Sequence, residues 1–250
     1  MTQRVFDQSH YDSLNSSRGA VVWNLLSQLK EPLGLRTAID VGCGLGYFSS
    51  LLKSLGFEVT GVDGRQENVE EARRRNPGMR FERYDAEDPA FRELGRFDVV
   101  FCFGLLYHLE NPLLVIRHLN AMTNVLLLVE SVIFPGEEPV MGLVDESPFE
   151  DQGLSHLAFY PTEACLEKMM FRSGFSFVYA FTVKPDHPGF RNLSHKPRVR
   201  TMLAASRESV SSDFLTLVKE PHLMVQPWDP DSVFNLTRRA SKLRRLVSNW

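Results

Sequence analysis

The sequence predicts an α/β fold in which a mostly parallel sheet of seven strands carries helices on both faces. Three observations lead there. Short apolar runs alternate with segments whose apolar residues recur at helical spacing, the pattern of βαβ units. The run from Phe97 to Phe103 is apolar at nearly every position, which suits a central parallel strand covered on both faces. The first apolar run, Thr37 to Val41, stops in Gly42-Cys43-Gly44-Leu45-Gly46 and is followed at once by a helical pattern of Tyr47, Phe48, Leu51, Leu52 and Leu55. Glycines at alternate positions mark a tight turn where the backbone comes close to a ligand, because a Cβ would fill the space.

Composition sets the bounds. The chain has 250 residues, 43% of them hydrophobic, and a formal net charge of −3. That is enough for one sizeable domain with a full core, or one domain plus appendages. The near-neutral balance lacks the basic signature of a nucleic-acid-binding domain. Cys43, Cys102 and Cys165 are odd in number and far apart, so neither a metal site nor a disulfide framework is expected. The start of the chain has no basic-then-apolar leader and no apolar run reaches the length of a membrane span. A cytoplasmic protein without a membrane partner is expected.

The glycine spacing discriminates between ligands. A dinucleotide turn wants G-x-G-x-x-G, and the position of its last glycine is Tyr47 here. The run Asp40-Val41-Gly42-Cys43-Gly44-Leu45-Gly46 instead resembles motif I of the class I S-adenosylmethionine (SAM)-dependent methyltransferases. The resemblance implies a Rossmann-like fold with SAM as cofactor. Asp40, Gly42, Gly44 and Gly46 would hold its methionine end, the acid facing the cationic group.

Each element then follows in order. Residues 1–36 contain a helical pattern of Val21, Val22, Leu25, Leu26 and Leu29, ended by Pro32 and Gly34. The resemblance makes this helix a lid: Arg18 would pair with the SAM carboxylate, and Tyr11 would close over the site and touch substrate. Glu58 to Asp63 is a second strand ending in an acid. A carboxylate there accepts from both ribose hydroxyls, at the chain distance from the glycine turn that this role requires; a helix N-cap is the alternative. Gly64 and Arg65 open the next helix, Gln66 to Asn76, beside that ribose site. The third strand, Met79 to Tyr84, ends at Asp85 and Ala86, the corner where the resemblance places the adenine.

The fourth strand, Phe97 to Gly104, runs into Leu105-Leu106-Tyr107-His108-Leu109. Ligands of open α/β sheets lie outside the carboxyl ends of the strands, so Phe103, Gly104, Tyr107 and His108 should border the transferred methyl group. Methyl transfer is an in-line displacement that mainly needs the nucleophile aligned. A hydroxyl acceptor must also lose a proton. His108 is the candidate general base, with Tyr107 second; packing on the cofactor is the alternative for both.

Asn124 to Glu130 reads as the fifth strand. Residues 131–160, rich in Pro and Gly, read as a structureless substrate lid, and Glu130, His156 and Tyr160 are its candidate substrate contacts. Pro161 is expected in the first turn of a helix that leads to a sixth strand, Phe175 to Val183, and a seventh, Val199 to Ser206. The resemblance places the seventh antiparallel between the fifth and sixth. Residues 37–206 thus form the core. The stretch from motif I to the seventh strand most resembles the bacterial wobble-uridine tRNA modification methyltransferases and their small relatives. Residues 207–250 have no place in the minimal fold and carry a basic helix, Val233 to Val247.

The favoured function is methyl transfer from SAM to a small-molecule acceptor at a hydroxyl. A tRNA wobble uridine is a less favoured acceptor, for want of global basicity. A non-catalytic SAM-binding regulatory module is the reading from another class, opposed by the aromatic residues of the lid. The missing third glycine disfavours a NAD-dependent dehydrogenase.

Overall fold

A computed structural model describes residues 9–146, 153–191 and 198–219 of the chain. Helix α1 (Ser9–Leu29) buries the predicted face of Val21, Val22, Leu25, Leu26 and Leu29. Strand β1 (Thr37–Val41), helix α2 (Tyr47–Ser54), strand β2 (Glu58–Asp63), helix α3 (Gln66–Arg75) and strand β3 (Arg80–Arg83) follow. Strand β4 (Phe97–Phe103), helix α4 (Pro112–Met122) and strand β5 (Thr123–Ile133) complete the parallel part. A hairpin of β6 (Met141–Asp145) and β7 (Leu157–Pro161) precedes helix α5 (Glu163–Arg172), β8 (Phe177–Phe181), β9 (Val199–Ser206) and β10 (Leu215–Leu217).

The main sheet has the order β10-β8-β9-β5-β4-β1-β2-β3. The five strands from β3 to β5 are parallel, and β9 lies antiparallel between β5 and β8, as expected. Alternation along β4 shows why its run is wholly apolar. Val99, Phe101 and Phe103 enter one core with Leu25, Leu26 and Phe48 of α1 and α2. Val100 and Cys102 enter the other, with Ile116 and Leu119 of α4 and Leu166 of α5. A strand covered on both faces has no solvent side for polar residues to occupy.

The structure corrects the sequence reading in three places. The sheet has eight strands, not seven: β10, inside the segment assigned no place in the fold, pairs antiparallel with β8. Three residues are too few for an alternating pattern to register. Residues 131–160 are not structureless. Strand β5 continues to Ile133, and β6 pairs with β7 from Met141↔Pro161 to Asp145↔Leu157. The prolines and glycines around this hairpin mask its alternation. Pro161 belongs to β7, where its carbonyl accepts from Phe134 N at 2.9 Å. The helix starts two residues later because Thr162 is its N-cap, Oγ1 accepting from Cys165 N at 3.2 Å. The basic helix expected at Val233 to Val247 lies outside the described residues. Among the described residues no helix is long and apolar enough to cross a membrane.

Candidate active site

A cleft of about 1200 Å3 opens where the parallel strands end at their carboxyl side. Val41, Asp63 and Phe103, at or beside the last positions of β1, β2 and β4, line it. This is where strand order reverses around β1 and β4, the usual ligand crevice of such sheets.

One end of the cleft is built from backbone. Gly42, Gly44 and Gly46 all have positive φ. Gly46 is held to glycine twice: at φ 87° an L side chain is strained, and a Cβ would stand 2.7 Å from Asn76 Nδ2 and 3.0 Å from Phe81 Cζ. Asp63 ties this turn to the second strand. Its Oδ2 accepts from Gly44 N at 2.9 Å, and its Oδ1 accepts from Arg65 N at 2.9 Å and Asn68 Nδ2 at 3.1 Å. Burial pushes the carboxyl up, and these donors oppose the rise. Arg65 also donates to the carbonyl of Gly153 at 2.7 Å. Leu154 packs so closely on Gly64 that a Cβ there would meet it at 2.9 Å. Asp85 is exposed at the rim and accepts from Glu87 N at 2.9 Å, while the carbonyl of Ala86 faces His118 Nδ1 at 3.0 Å.

The other end is built from side chains. Arg18 of α1 and Arg200 of β9 meet over Glu130 of β5. Arg18 Nη1 donates to Oε2 at 2.5 Å and Arg200 Nη1 to Oε1 at 2.8 Å. Burial alone would raise the Glu130 carboxyl; the two guanidinium groups outweigh it and hold it below the usual range. Arg18 also donates to Asn15 and stacks over Phe48, while its Nε is buried without a hydrogen-bond partner among the described residues. Arg200 Nη2 reaches the Tyr107 hydroxyl at 3.4 Å, and Arg198 donates to the Tyr160 hydroxyl at 2.8 Å. The Tyr107 ring lies 4.1 Å from His108 and 5.9 Å from Tyr160. His108 Nδ1 contacts the carboxylate of Glu146.

Most expected site residues line this cleft: Tyr11, Arg18, the three turn glycines, Asp63 to Arg65, Asp85, Ala86, Phe103, Gly104, Tyr107, His108 and Tyr160. Three do not. Asp40 lies buried beneath the turn, where Ser49 Oγ donates to its Oδ2 at 2.6 Å. Alternation along β1 sends its side chain toward α2 with that of Ala38, so it supports the turn from below instead of facing a ligand. Burial pushes this carboxyl up to about 7 against the Ser49 hydrogen bond. Glu130 is 0% exposed, and its oxygens are engaged by the two arginines, not turned to the acceptor. His156 is exposed at a left-handed turn (φ 58°), with its side chain outside the cleft and its carbonyl accepting from Glu146 N. Sequence reasoning also passed over Glu146, Arg198 and Arg200. An arginine in the apolar run of β9 was a signal for the last; nothing local marked Glu146.

Known proteins agree with this architecture. A family described as "Methyltransferase domain" matches residues 20–180. The tRNA U34 carboxymethyltransferase of Pseudoalteromonas translucida is 30% identical over 162 residues, 62% of this chain and 49% of that protein. The ubiquinone biosynthesis O-methyltransferase of Colwellia psychrerythraea is 40% identical over 83 residues, 32% of this chain and 34% of that protein. The chain thus spans about half, or less, of the length of these curated relatives. Among solved structures, the N-terminal domain of EvdMO1 with SAH bound superposes with TM-score 0.61 at 20% identity, covering 77% of this chain and 80% of that one. Magnesium protoporphyrin IX methyltransferase from Synechocystis with bound SAM gives 0.55 at 19%, covering 82% and 89%. At these identities the two structures establish the shared fold.

Proposed function

The chain belongs to the methyltransferase-domain family, and from that membership we propose that it transfers a methyl group from S-adenosylmethionine to a hydroxyl of a small acceptor. The observation that carries the reading is the convergence, in one cleft, of a glycine turn, a strand-end carboxylate and an unsatisfied arginine. Arg18 fits the cofactor's carboxylate, because its buried Nε lacks a partner that such a group would supply. Asp63 has acceptor capacity beyond its three present hydrogen bonds and stands where ribose hydroxyls are held. Asp85 and Ala86 serve the adenine at the rim.

When bound, SAM supplies an electrophilic methyl carbon and a neutral leaving group. The chain's own residues then align the acceptor, exclude water and take its proton. Tyr107 and Tyr160 wall the acceptor end with aromatic surface, and Arg200 and Arg198 hold their hydroxyls in place. His108 is the base. The likeness to an O-methyltransferase supports the hydroxyl acceptor. Free cysteines, two of them buried, suit a reducing cytoplasm.

Incubation with methyl-labelled SAM and a panel of small hydroxylated metabolites tests the proposal. Label in an ether product is expected; an absence of transfer to every hydroxyl acceptor overturns it. A second reading, tRNA modification, is favoured by the longer match to the U34 carboxymethyltransferases. It predicts label in unfractionated tRNA and salt-sensitive tRNA binding. The net charge of −3 speaks for the small acceptor.

A further inference from the structure

Glu146 stands apart from everything the sequence marked. It follows the last residue of β6, and its backbone N donates to the His156 carbonyl at 2.9 Å, which fixes it at the end of the hairpin where the connection between the two strands begins. Its side chain is 1% exposed. One oxygen meets His108 Nδ1, and the other is buried without a hydrogen-bond partner among the described residues. Room for that second oxygen exists because residue 153 is glycine: a Cβ there would stand 2.3 Å from it. A buried carboxylate is costly unless its partner carries the complementary proton or charge. A histidine supplies both.

We propose that Glu146 is a positioning residue for His108. It fixes the imidazole with the proton on Nδ1 and leaves Nε2, which has no hydrogen-bond partner among the described residues, free for the acceptor. The inference rests on His108 being the base of the proposed reaction. As the acceptor oxygen bonds the methyl carbon, its proton passes to His108 Nε2, and the carbon–sulfur bond breaks with its electron pair left on sulfur. The imidazolium so formed keeps its Nδ1–H on the Glu146 carboxylate, and the Nε2 proton later leaves to water. An oriented acid–histidine pair performs this service on unrelated folds, because the carboxylate both selects the tautomer and stabilises the cation. The Tyr107 ring packs on the imidazole, and Arg200 and Arg198 are turned to the hydroxyls of Tyr107 and Tyr160.

The test needs no acceptor. Long-range proton–nitrogen correlation spectra of protein carrying 15N-histidine, saturated with S-adenosylhomocysteine at pH 8, report which ring nitrogen of His108 bears the proton; His108→Gln assigns the signal. The expected result is a single Nδ1–H tautomer in the wild type, lost in Glu146→Ala. Gly153→Ala, which leaves both partner residues in the sequence but puts a Cβ 2.3 Å from the carboxylate, should also loosen it. An Nε2–H tautomer in the wild type, or an unchanged His108 signal in Glu146→Ala, overturns the proposal. Calorimetric titration with S-adenosylhomocysteine on the same samples keeps the two inferences separate. Retained binding with the wrong tautomer sinks only the dyad, and lost wild-type binding sinks the methyltransferase reading beneath it.

Discussion

The two ends of the cleft are made differently. At the end proposed for the cofactor the chain presents backbone and strand-end residues close in sequence: a glycine turn, then Asp63 nineteen residues after Gly44 and bonded to its N–H. At the end proposed for the acceptor it presents side chains drawn from α1, β5, β9, the loop after β4 and the hairpin. Arg18 and Glu130 are separated by 112 positions, Glu130 and Arg200 by 70. The first end is a local motif that any ligand of the right shape can use. The second is a convergence that exists only when the whole sheet has formed, and on the proposed function it is where acceptor specificity would be set.

This contrast can be broken or sharpened by substitution. The largest effect is expected at the buried triad. Glu130→Ala leaves two arginines facing each other in the interior and should lower unfolding stability by about 3–5 kcal/mol, the usual cost of stripping one partner from a buried ion pair. Urea unfolding measures it. A change below about 1 kcal/mol would mean that the acceptor end is not structurally integrated in this way.

Next in size, His108→Ala should lower turnover with a hydroxyl acceptor by roughly 100-fold or more, in the range of a lost general base, with affinity for S-adenosylhomocysteine retained. Near-normal turnover at saturating acceptor removes the base role.

Asp40 sharpens the comparison from the cofactor end. Its carboxyl is raised from 3.8 in the unfolded chain to about 7 in the fold by burial. The unfolded state therefore loses its proton first, and this group withdraws stability as pH rises from about 4 to about 7. At roughly 1.4 kcal/mol per unit, the withdrawal between pH 5 and 8 is about 2–3 kcal/mol. Asp40→Asn should keep a hydrogen bond to Ser49 and abolish that slope. Equal slopes in the two proteins would show that the buried acid does not titrate there.

The smallest effect belongs to the hairpin's junction with α5. Thr162→Ala removes the N-cap and should cost about 1 kcal/mol in thermal or urea unfolding, with cofactor binding untouched.

The same contrast explains what could be read from the sequence. The parallel strands, their helices and the antiparallel β9 were legible because each carries its own periodicity and stop signals. The placement of Gly42, Gly44, Gly46 and Asp63 in the cleft was legible because one turn brings them together. Asp40 was misdirected because motif spacing does not say which face of the pleat a residue takes. Glu130 and Arg200 were illegible as a pair, since nothing in either neighbourhood specifies a partner across the sheet. Glu146 sits in a segment whose prolines and glycines hid a hairpin, and its role depends on the size of residue 153. Strand β10 was missed for its length alone.

The most direct test of the central claim is calorimetric titration of the wild type and Asp63→Ala with S-adenosylhomocysteine, with NAD titrated in parallel. The expected result is micromolar binding of S-adenosylhomocysteine by the wild type, weakened by roughly 100-fold in Asp63→Ala, a loss of about 2.7 kcal/mol, and no binding of NAD. Absence of S-adenosylhomocysteine binding, or binding of NAD in its place, would contradict the assignment of the glycine turn and of every cofactor contact built on it.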